Sequence, residues 1–219
     1  MKKLLIALAA LSIIACKEKT KDYVTFSGTI TDKNSDSIVV RTKTYSKTIK
    51  VNEDGTFSDT LKVATGIHNF YDGGESSNIY LKNGYDLNLT LDTKMFDETI
   101  AYTGVGEKVN NYLAKKSLFE ETLFPPSMFD LEEADFKTTI AKLNTKRSEF
   151  LSKYKDMDAA FYAIEKADVD GFEEEMLGYY SKNQKAAEER AAKFADFIGK
   201  PSPNFENYEN YKGGTTSLS

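Results

Sequence analysis

The amino-acid sequence predicts an α+β protein whose strands come first and whose helices come second. Only two alanines lie within residues 17–104, whereas twelve lie within residues 105–198. The first stretch is rich in Thr, Val, Ile and Tyr, which favour strands, and the second is rich in Ala, Leu, Lys and Glu, which favour helices. We therefore expect a β domain over residues 23–104 and a helical region over residues 105–198.

The strand half alternates between apolar and polar side chains. Val24, Phe26 and Ile30 fall on one face of a predicted first strand, and Asp54-Gly55 is typical of a hairpin turn. Short strands at this spacing, separated by Gly, Asn and Asp, predict an antiparallel β-sandwich or open barrel. The expected strands cover residues 23–30, 37–42, 47–51, 56–61, 67–71, 77–81 and 87–91.

The helical half begins after Gly104-Val105-Gly106, a pattern that favours release of a strand into a helix. Val109, Tyr112 and Leu113 then share one helical face, and Pro125-Pro126 ends this run. Asp130 followed by Glu133 resembles a capping box at the start of a second helix. That helix places apolar residues three or four positions apart, and a last long helix is expected over residues 158–198.

The sequence of the final segment, residues 199–219, predicts an extended stretch followed by a β-hairpin. Gly199-Lys200-Pro201-Ser202-Pro203 is held extended by its prolines, and Tyr208–Tyr211 and Thr215–Leu218 read as short strands. A hairpin alone is marginally stable in water, so it needs a sheet to join. We therefore expect the sequence to break off within a further domain.

Charge and cysteine content exclude several classes of function. The 219 residues carry 29 basic and 34 acidic side chains, a formal net charge of −5. A nucleic-acid partner is not expected, because phosphate neutralisation needs clustered Lys and Arg, and no long basic run occurs. The single cysteine excludes an internal disulfide, a multi-cysteine zinc site and an iron–sulfur cluster.

The chain begins with the features of a secretory signal peptide. Lys2 and Lys3 precede the apolar run Leu4–Ala15, which is shorter than the roughly 20 residues that span a bilayer. We assign residues 1–15 to the signal peptide. Cys16, the only cysteine, follows it directly.

Ile13-Ile14-Ala15-Cys16 resembles the bacterial lipobox, in which a small residue precedes a cysteine that is lipidated and becomes the mature N-terminus. The resemblance implies a membrane-lipid anchor on Cys16, with residues 16–22 forming the lipidated cysteine and a polar tether. Two or more acyl chains give stable anchoring, where one chain gives only marginal binding. The alternative is an ordinary signal peptide with an unmodified Cys16.

Residues of types that are often catalytic or metal-binding have simpler structural explanations in this sequence. His68, the only histidine, lies in a predicted strand, and we expect a structural role for it. Asp32-x-Asn34-x-Asp36 begins like a calcium loop, but Ser37 and Lys43 occupy the positions of the required Gly and Glu, so a turn is favoured.

Other candidate motifs are also incomplete. Gly104-x-Gly106 lacks the third glycine of the dinucleotide fingerprint, because Val109 stands in its place. Neighbouring glutamates, as at Glu120-Glu121, point about 100° apart on a helix and are expected to be solvated. We therefore expect no catalytic, metal-binding or cofactor-binding residue. Three tyrosines are candidates for a binding surface on the β domain, although half-buried strand tyrosines are the commoner explanation: Tyr71, Tyr80 and Tyr85.

Separated segments resemble one family of bacterial envelope lipoproteins. Phe26–Ile30, Asn52–Phe57 and Ile79–Tyr85 are similar to the small β domain of unknown function that opens many of these proteins, and Thr99–Leu113 is similar to their passage into helix. Gly199–Phe205, followed by Ser217-Leu218-Ser219, resembles the entry to a thioredoxin-like domain of the TlpA and AhpC/TSA type.

This resemblance implies thiol–disulfide exchange through a Cys-x-x-Cys that would lie beyond Ser219. A helix N-terminus and a second thiol lower the pKa of such an attacking cysteine. The chain is then the non-catalytic anchor, spacer and partner-binding part of a membrane-anchored thiol–disulfide oxidoreductase in the cell envelope. Its partners would be membrane lipid through Cys16 and envelope redox or substrate proteins.

Two alternatives remain open from the sequence. The chain is either a stand-alone, non-enzymatic binding lipoprotein or the front half of a peroxiredoxin-like protein. The second alternative shares the tail signature, and only the missing cysteine spacing separates it from an oxidoreductase.

Overall fold

The strands follow the alternation of the sequence. In a computed structural model of the protein, which describes residues 21–199, Val24, Phe26 and Ile30 are buried along the first strand. Thr29 and Thr31 on the opposite face are exposed. This alternation buries apolar surface on one side of the sheet, which is the main favourable contribution to folding.

Eight strands and four α-helices form within residues 21–199, and the architecture is α+β as predicted. The strands are β1 (Val24–Thr31), β2 (Ser37–Arg41), β3 (Ser46–Lys50), β4 (Thr56–Leu61), β5 (Gly66–Tyr71), β6 (Ser76–Leu81), β7 (Asp86–Asp92) and β8 (Ala101–Val105). The helices are α1 (Phe96–Thr99), α2 (Glu107–Glu121), α3 (Glu133–Ser152) and α4 (Ala159–Gly199).

The strands form two four-stranded sheets, with the orders β4-β1-β7-β8 and β3-β2-β5-β6. Five of the six strand pairs are antiparallel, as predicted, but β1 and β7 are parallel, with Thr25 opposite Asp86. A parallel pair needs a long crossover, and the segment from β2 to β6 supplies it. The first sheet is therefore mixed, because the chain returns to it at β7, beside β1, only after it has passed through the strands of the second sheet.

The two sheets face each other across an aromatic core, so the fold is the sandwich rather than the open barrel. The ring of Phe26 in β1 lies 5.1 Å from that of Phe57 in β4 and 6.2 Å from that of Phe70 in β5, centroid to centroid. Gly28 leaves room for this packing, since a Cβ there would lie 2.4 Å from the carbonyl oxygen of Leu89 and 2.7 Å from the ring of Phe57. The edge-to-face ring contacts add to the burial of apolar area.

The start of α2 and, to within one residue, the bounds of α4 agree with the prediction, whereas α1 was not predicted and the capping box does not form. The α3 helix starts at Glu133, but its N-cap residue is Glu132, which makes no side-chain capping bond, and Asp130 lies in a preceding 3₁₀ turn. A true side-chain cap occurs instead at α4, where Asp158 Oδ1 accepts from the backbone N–H groups of Ala160 and Phe161.

The chain divides into two compact units. Among the described residues, the β unit contains residues 21–123 together with Tyr154–Tyr162, and the helical unit contains Phe124–Lys153 and residues 163–199. The sequence composition changes where β8 gives way to α2, but α2 belongs to the β unit.

The helical unit is built around aromatic rings and one buried cation. The rings of Phe136 and Tyr180 stack with centroids 4.3 Å apart, and the Tyr180 hydroxyl donates to the carbonyl of Leu131. Arg147 is buried, pairs with Asp168 at 2.6 Å and lies 4.4 Å from the ring centroid of Phe172. Within residues 21–199 no helix has the length and apolar character needed to span a membrane.

Candidate functional site

The junction between β8 and α2 requires glycine at both ends of Gly104-Val105-Gly106. Gly104 has a φ of 89° and Gly106 a φ of 107°, in the left-handed region that favours glycine. A Cβ on Gly104 would lie 2.2 Å from the carbonyl oxygen of Asp86, and one on Gly106 would lie 2.3 Å from the ring of Tyr85. The motif therefore turns the strand into the helix, as predicted, and brings the helix start against Tyr85.

Two asparagines at the start of α2 fix this helix to the sheets. Asn110, fully buried, accepts from the backbone N–H of Tyr80 and donates to the carbonyls of Tyr80 and Gly106. Asn111 makes the same two-way exchange with the backbone of Tyr102 in β8. Because both amides satisfy strand backbone groups, α2 is held at one position along the sheets.

A recess of about 290 Å³ opens beside this junction, entirely within the β unit. Its walls come from three separate parts of the chain: the turn before β7, the β8–α2 junction and the segment that leads into α4. The lining residues are Tyr85, Gly104, Gly106, Glu107, Lys108, Val109, Asp156, Met157 and Asp158.

Charged side chains make ion pairs at the edge of the recess. Lys108 pairs with Asp156, and this hydrogen-bonded pairing lowers the pKa of Asp156 and raises that of Lys108. Asp158 Oδ2 lies 2.7 Å from Lys82 Nζ, and the hydrogen bond from Lys82 lowers the pKa of Asp158. Asp158 thus serves both as the cap of α4 and as the partner of a lysine from the end of the second sheet.

Two of the three tyrosines considered as candidates for a binding surface lie together in the structure, and both are buried. Tyr80 and Tyr85 are both buried, and their ring centroids lie 6.2 Å apart. Burial, followed by the charge of Asp158, raises the pKa of Tyr85 to about 12, so its phenol stays protonated at neutral pH. Tyr71 lies at the end of β5, where its hydroxyl donates to the carbonyl of Gly73 at 2.6 Å.

His68 has the structural role predicted for it. The residue is 4% exposed in β5, its Nδ1 lies 3.0 Å from the carbonyl oxygen of Gly66, and its ring meets that of Tyr45 edge to face. These contacts occupy the imidazole with local backbone and aromatic packing.

The acidic motif at residues 32–36 forms the turn that was predicted. Asn34 donates to Asp72 at 2.9 Å, and Asp36 pairs with Lys33. Asp72 in turn accepts from the backbone N–H groups of Gly74 and Glu75, so the motif ties two turns of the sandwich together. Within residues 21–199 no group of three His, Cys, Asp or Glu side chains is arranged to hold a metal ion.

Sequence reasoning missed Lys82, Lys108, Asp156 and Asp158 as members of a common site. The members lie far apart in the chain, and no local pattern connects them. The sequence offered one signal, the Asn110-Asn111 pair near the start of α2. These amides adjoin the apolar residues Val109 and Tyr112, and amides in such a setting indicate fixed polar contacts.

The lipidation predicted at Cys16 and, apart from Gly199, the thioredoxin-like entry predicted over residues 199–219 lie outside the described residues. Comparison with known proteins adds no assignment: no protein-family model, curated protein or solved structure matches the chain.

Proposed function

We propose that the chain is the anchor, spacer and partner-binding part of a membrane-anchored thiol–disulfide oxidoreductase of the cell envelope. The observation that carries the proposal is the pairing of two separated sequence features. Ile13-Ile14-Ala15-Cys16 is similar to a lipobox, and Gly199–Phe205 is similar to the entry of a thioredoxin-like domain. An exported, lipid-anchored redox protein accounts for both.

The described fold is compatible with a spacer that also offers a binding surface. The sandwich core is apolar and closed, and Asn110 and Asn111 fix α2 against it. A unit of this kind keeps its surface groups in a set geometry, which a partner-binding role requires. The redox chemistry itself would belong to a Cys-x-x-Cys that follows Ser219 in the proposed parent.

The reading frame beyond the codon for Ser219 tests this proposal. We expect it to continue and to encode Cys-x-x-Cys shortly downstream, and the full-length product to reduce insulin disulfides in the presence of dithiothreitol. The matched control replaces both downstream cysteines by serine and should lose the activity. A stop codon at that point contradicts the oxidoreductase proposal, and a single downstream cysteine would favour a peroxiredoxin-like parent instead.

The second candidate function is a stand-alone binding lipoprotein, and the recess in the β unit favours it. This candidate predicts that residues 199–219 pack onto the body of the protein, whereas the first predicts that they are exposed in the 219-residue chain. Limited proteolysis followed by mass spectrometry separates the two. Rapid cleavage just after Ile198 supports the first candidate, and protection of this segment supports the second.

A further inference from the structure

We propose that one corner of the β unit, formed by Lys43, Lys62 and Ile67, lies against an anionic lipid surface. This inference rests on the lipid anchor of the proposed function and names the face of the protein that the anchor holds to the membrane. It draws on the position of the tether, on the distribution of charge between the two ends of the sandwich and on an exposed apolar side chain.

Successive strands are connected at two opposite ends of the sandwich. Val24, which begins β1, pairs with Leu61, which ends β4. Gly66, which begins β5, pairs with Leu81, which ends β6. The end at which β1 begins, here the anchored end, consists of residues 21–23 and three connections: 42–45, 62–65 and 82–85. The distal end consists of the other four connections: 32–36, 51–55, 72–75 and 93–100.

The predicted lipid tether leads into the anchored end, because β1 begins at Val24. The chain from Cys16 to Val24 spans at most about 28 Å when fully extended, and the eight residues of β1 are about 26 Å long. The tether therefore keeps the β unit beside the bilayer, where a high effective concentration makes weak contacts sufficient. The tether alone does not decide which face of the unit meets the lipid.

The two ends of the sandwich differ in charge. The anchored end carries four lysines and one aspartate in residues 21–23 and its connections, whereas the connections of the distal end carry eight carboxylates and two lysines. An anionic lipid surface attracts lysine side chains and repels carboxylates that come within a Debye length of it. This contrast favours an orientation in which the anchored end faces the lipid and the distal end faces away from it.

Carboxylates beside α2 narrow the lipid-facing part of the anchored end. Asp158 pairs with Lys82 and Asp156 pairs with Lys108. Glu107 adds one further negative charge on that side. Helix α2 lies along β6 and β8, which are the edge strands on one side of the two sheets. The side that remains for the lipid therefore carries the opposite edge strands, β3 and β4.

Lys43 and Lys62 lie on this opposite side. Lys43 belongs to the connection between β2 and β3, and Lys62 follows β4. The edges of β3 and β4 approach each other there, since Lys47 Nζ is 3.1 Å from Asp59 Oδ2. Lys62 also lies 3.7 Å from Asp22, beside the tether, and both side chains of that pair are 78% exposed. Because so exposed a pair contributes little, the lysine is available to a lipid phosphate.

Ile67 adds an exposed apolar group to the corner. The residue is 47% exposed in β5. The ring of its neighbour His68 meets that of Tyr45, which belongs to the same connection as Lys43. An apolar side chain beside lysines can enter the headgroup region while the ammonium groups stay at its surface. The corner thus combines positive charge and apolar area, as a peripheral lipid contact requires.

Paramagnetic broadening of nuclear magnetic resonance signals in lipid nanodiscs tests this contact. The full-length, ¹⁵N-labelled chain is coupled through the thiol of Cys16, its only cysteine, to a maleimide lipid, and a second lipid carries a gadolinium chelate. In nanodiscs that contain phosphatidylglycerol, we expect the backbone amides of Lys43 and Ile67 to be broadened more than that of Gly55 in the distal end. Nanodiscs of phosphatidylcholine alone should remove most of this difference. Equal broadening at both ends, or the same difference in both nanodiscs, would overturn the proposal.

Variants at exposed residues assign the contact to the corner. Lys43→Gln should reduce the ratio of oriented to unoriented protein about fivefold, the effect of one lysine near an anionic surface. Lys50→Gln removes the same charge at the distal end of β3 and should not reduce this ratio. Ile67→Ser should also reduce it, whereas Met95→Ser, at a residue 53% exposed in the distal end, should not. Equal effects of Lys43→Gln and Lys50→Gln would contradict the assignment.

The chemical coupling separates this inference from the proposed function, because it supplies an anchor whether or not cells attach lipid to Cys16. A chain that cells leave without lipid, but that orients on the nanodisc, loses the proposed function and keeps the corner as a lipid contact. A lipidated oxidoreductase whose two ends are broadened equally keeps the proposed function and loses the contact.

Discussion

The β unit and the helical unit are stabilised by different kinds of contact. In the β unit, alternating strands bury Phe26, Leu87 and Leu89 completely, and the polar groups at α2 are matched to strand backbone. In the helical unit, the contacts centre on the Phe136–Tyr180 stack and on Arg147, and much of α4 is exposed. Mutational effects on stability should therefore be spread over many positions in the β unit and concentrated on a few positions in the helical unit.

Removal of a central aromatic ring from either unit should lower the free energy of unfolding most. Phe26→Ala and Phe136→Ala should each lower the free energy of unfolding by about 3–5 kcal/mol, because a fully buried ring leaves a cavity. Urea unfolding followed by circular dichroism measures this. Phe194→Ala, at a residue 63% exposed on α4, is the matched control and should change stability by less than about 0.5 kcal/mol. A small effect of Phe136→Ala would mean that the helical unit does not depend on its aromatic stack.

The loss of buried hydrogen bonds should have the second-largest effect on the free energy of unfolding. Asn110→Ala removes three hydrogen bonds to backbone groups and leaves the N–H and C=O of Tyr80 unsatisfied, so we expect a loss of about 3 kcal/mol in the free energy of unfolding. Asn88→Ala removes one exposed bond, to Ser27, and should cost less than about 0.5 kcal/mol. Similar values for the two variants would show that α2 is not fixed to the sandwich by its amides.

Two variants of Arg147 separate the contribution of packing to the stability of the helical unit from the contribution of charge. Arg147→Ala removes the contact with the Phe172 ring and the pair with Asp168, and it should cost about 2 kcal/mol in thermal or urea unfolding. Arg147→Met restores apolar packing without charge and should recover more than half of that loss. If the Met variant is as unstable as the Ala variant, charge rather than packing is the main contribution of Arg147.

The smallest expected effect on stability comes from the Lys82–Asp158 ion pair in the β unit, and it depends on pH. The hydrogen bond from Lys82 lowers the pKa of Asp158 below its ordinary value of 3.8. The pair therefore stabilises the folded state above that ordinary value, and its contribution is lost as the pH falls through the lowered pKa. Asp158→Asn keeps a good helix cap but removes the charge, so it should cost about 1 kcal/mol or less at pH 7.

Unfolding curves between pH 6 and pH 2 provide the measurement. The difference between the wild type and the Asp158→Asn variant should shrink as the pH falls and vanish once Asp158 is protonated in the folded protein. A difference that stays constant over this range would show that the Lys82 pair contributes nothing to stability.

Local patterns in the sequence predicted much of the fold. Alternation located seven of the eight strands but not β8 (Ala101–Val105), and the face formed by Val109, Tyr112 and Leu113 is buried as expected. The parallel pairing of β1 with β7 was not predictable, because it joins strands separated by the whole second sheet. The capping box failed at α3 because the chain enters that helix from a 3₁₀ turn, which places Asp130 outside the cap position.

The candidate site was harder to predict than the fold. Gly104-x-Gly106 was recognised from its spacing, and its role as a turn into a helix follows from the conformations of both glycines. The carboxylates of the recess come from residues 107 and 156–158, which no periodicity relates. Distance along the sequence therefore conceals such a site, even though the helices that contribute to it were predicted.

Attachment of the protein to the envelope through Cys16 can be tested by mass spectrometry of the N-terminal peptide from isolated bacterial membranes. The proposal predicts a mature chain that begins at Cys16, with residues 1–15 removed and lipid attached to the sulfur. The Cys16→Ala variant should yield no such peptide. A soluble mature chain carrying an unmodified Cys16 thiol would contradict the claim.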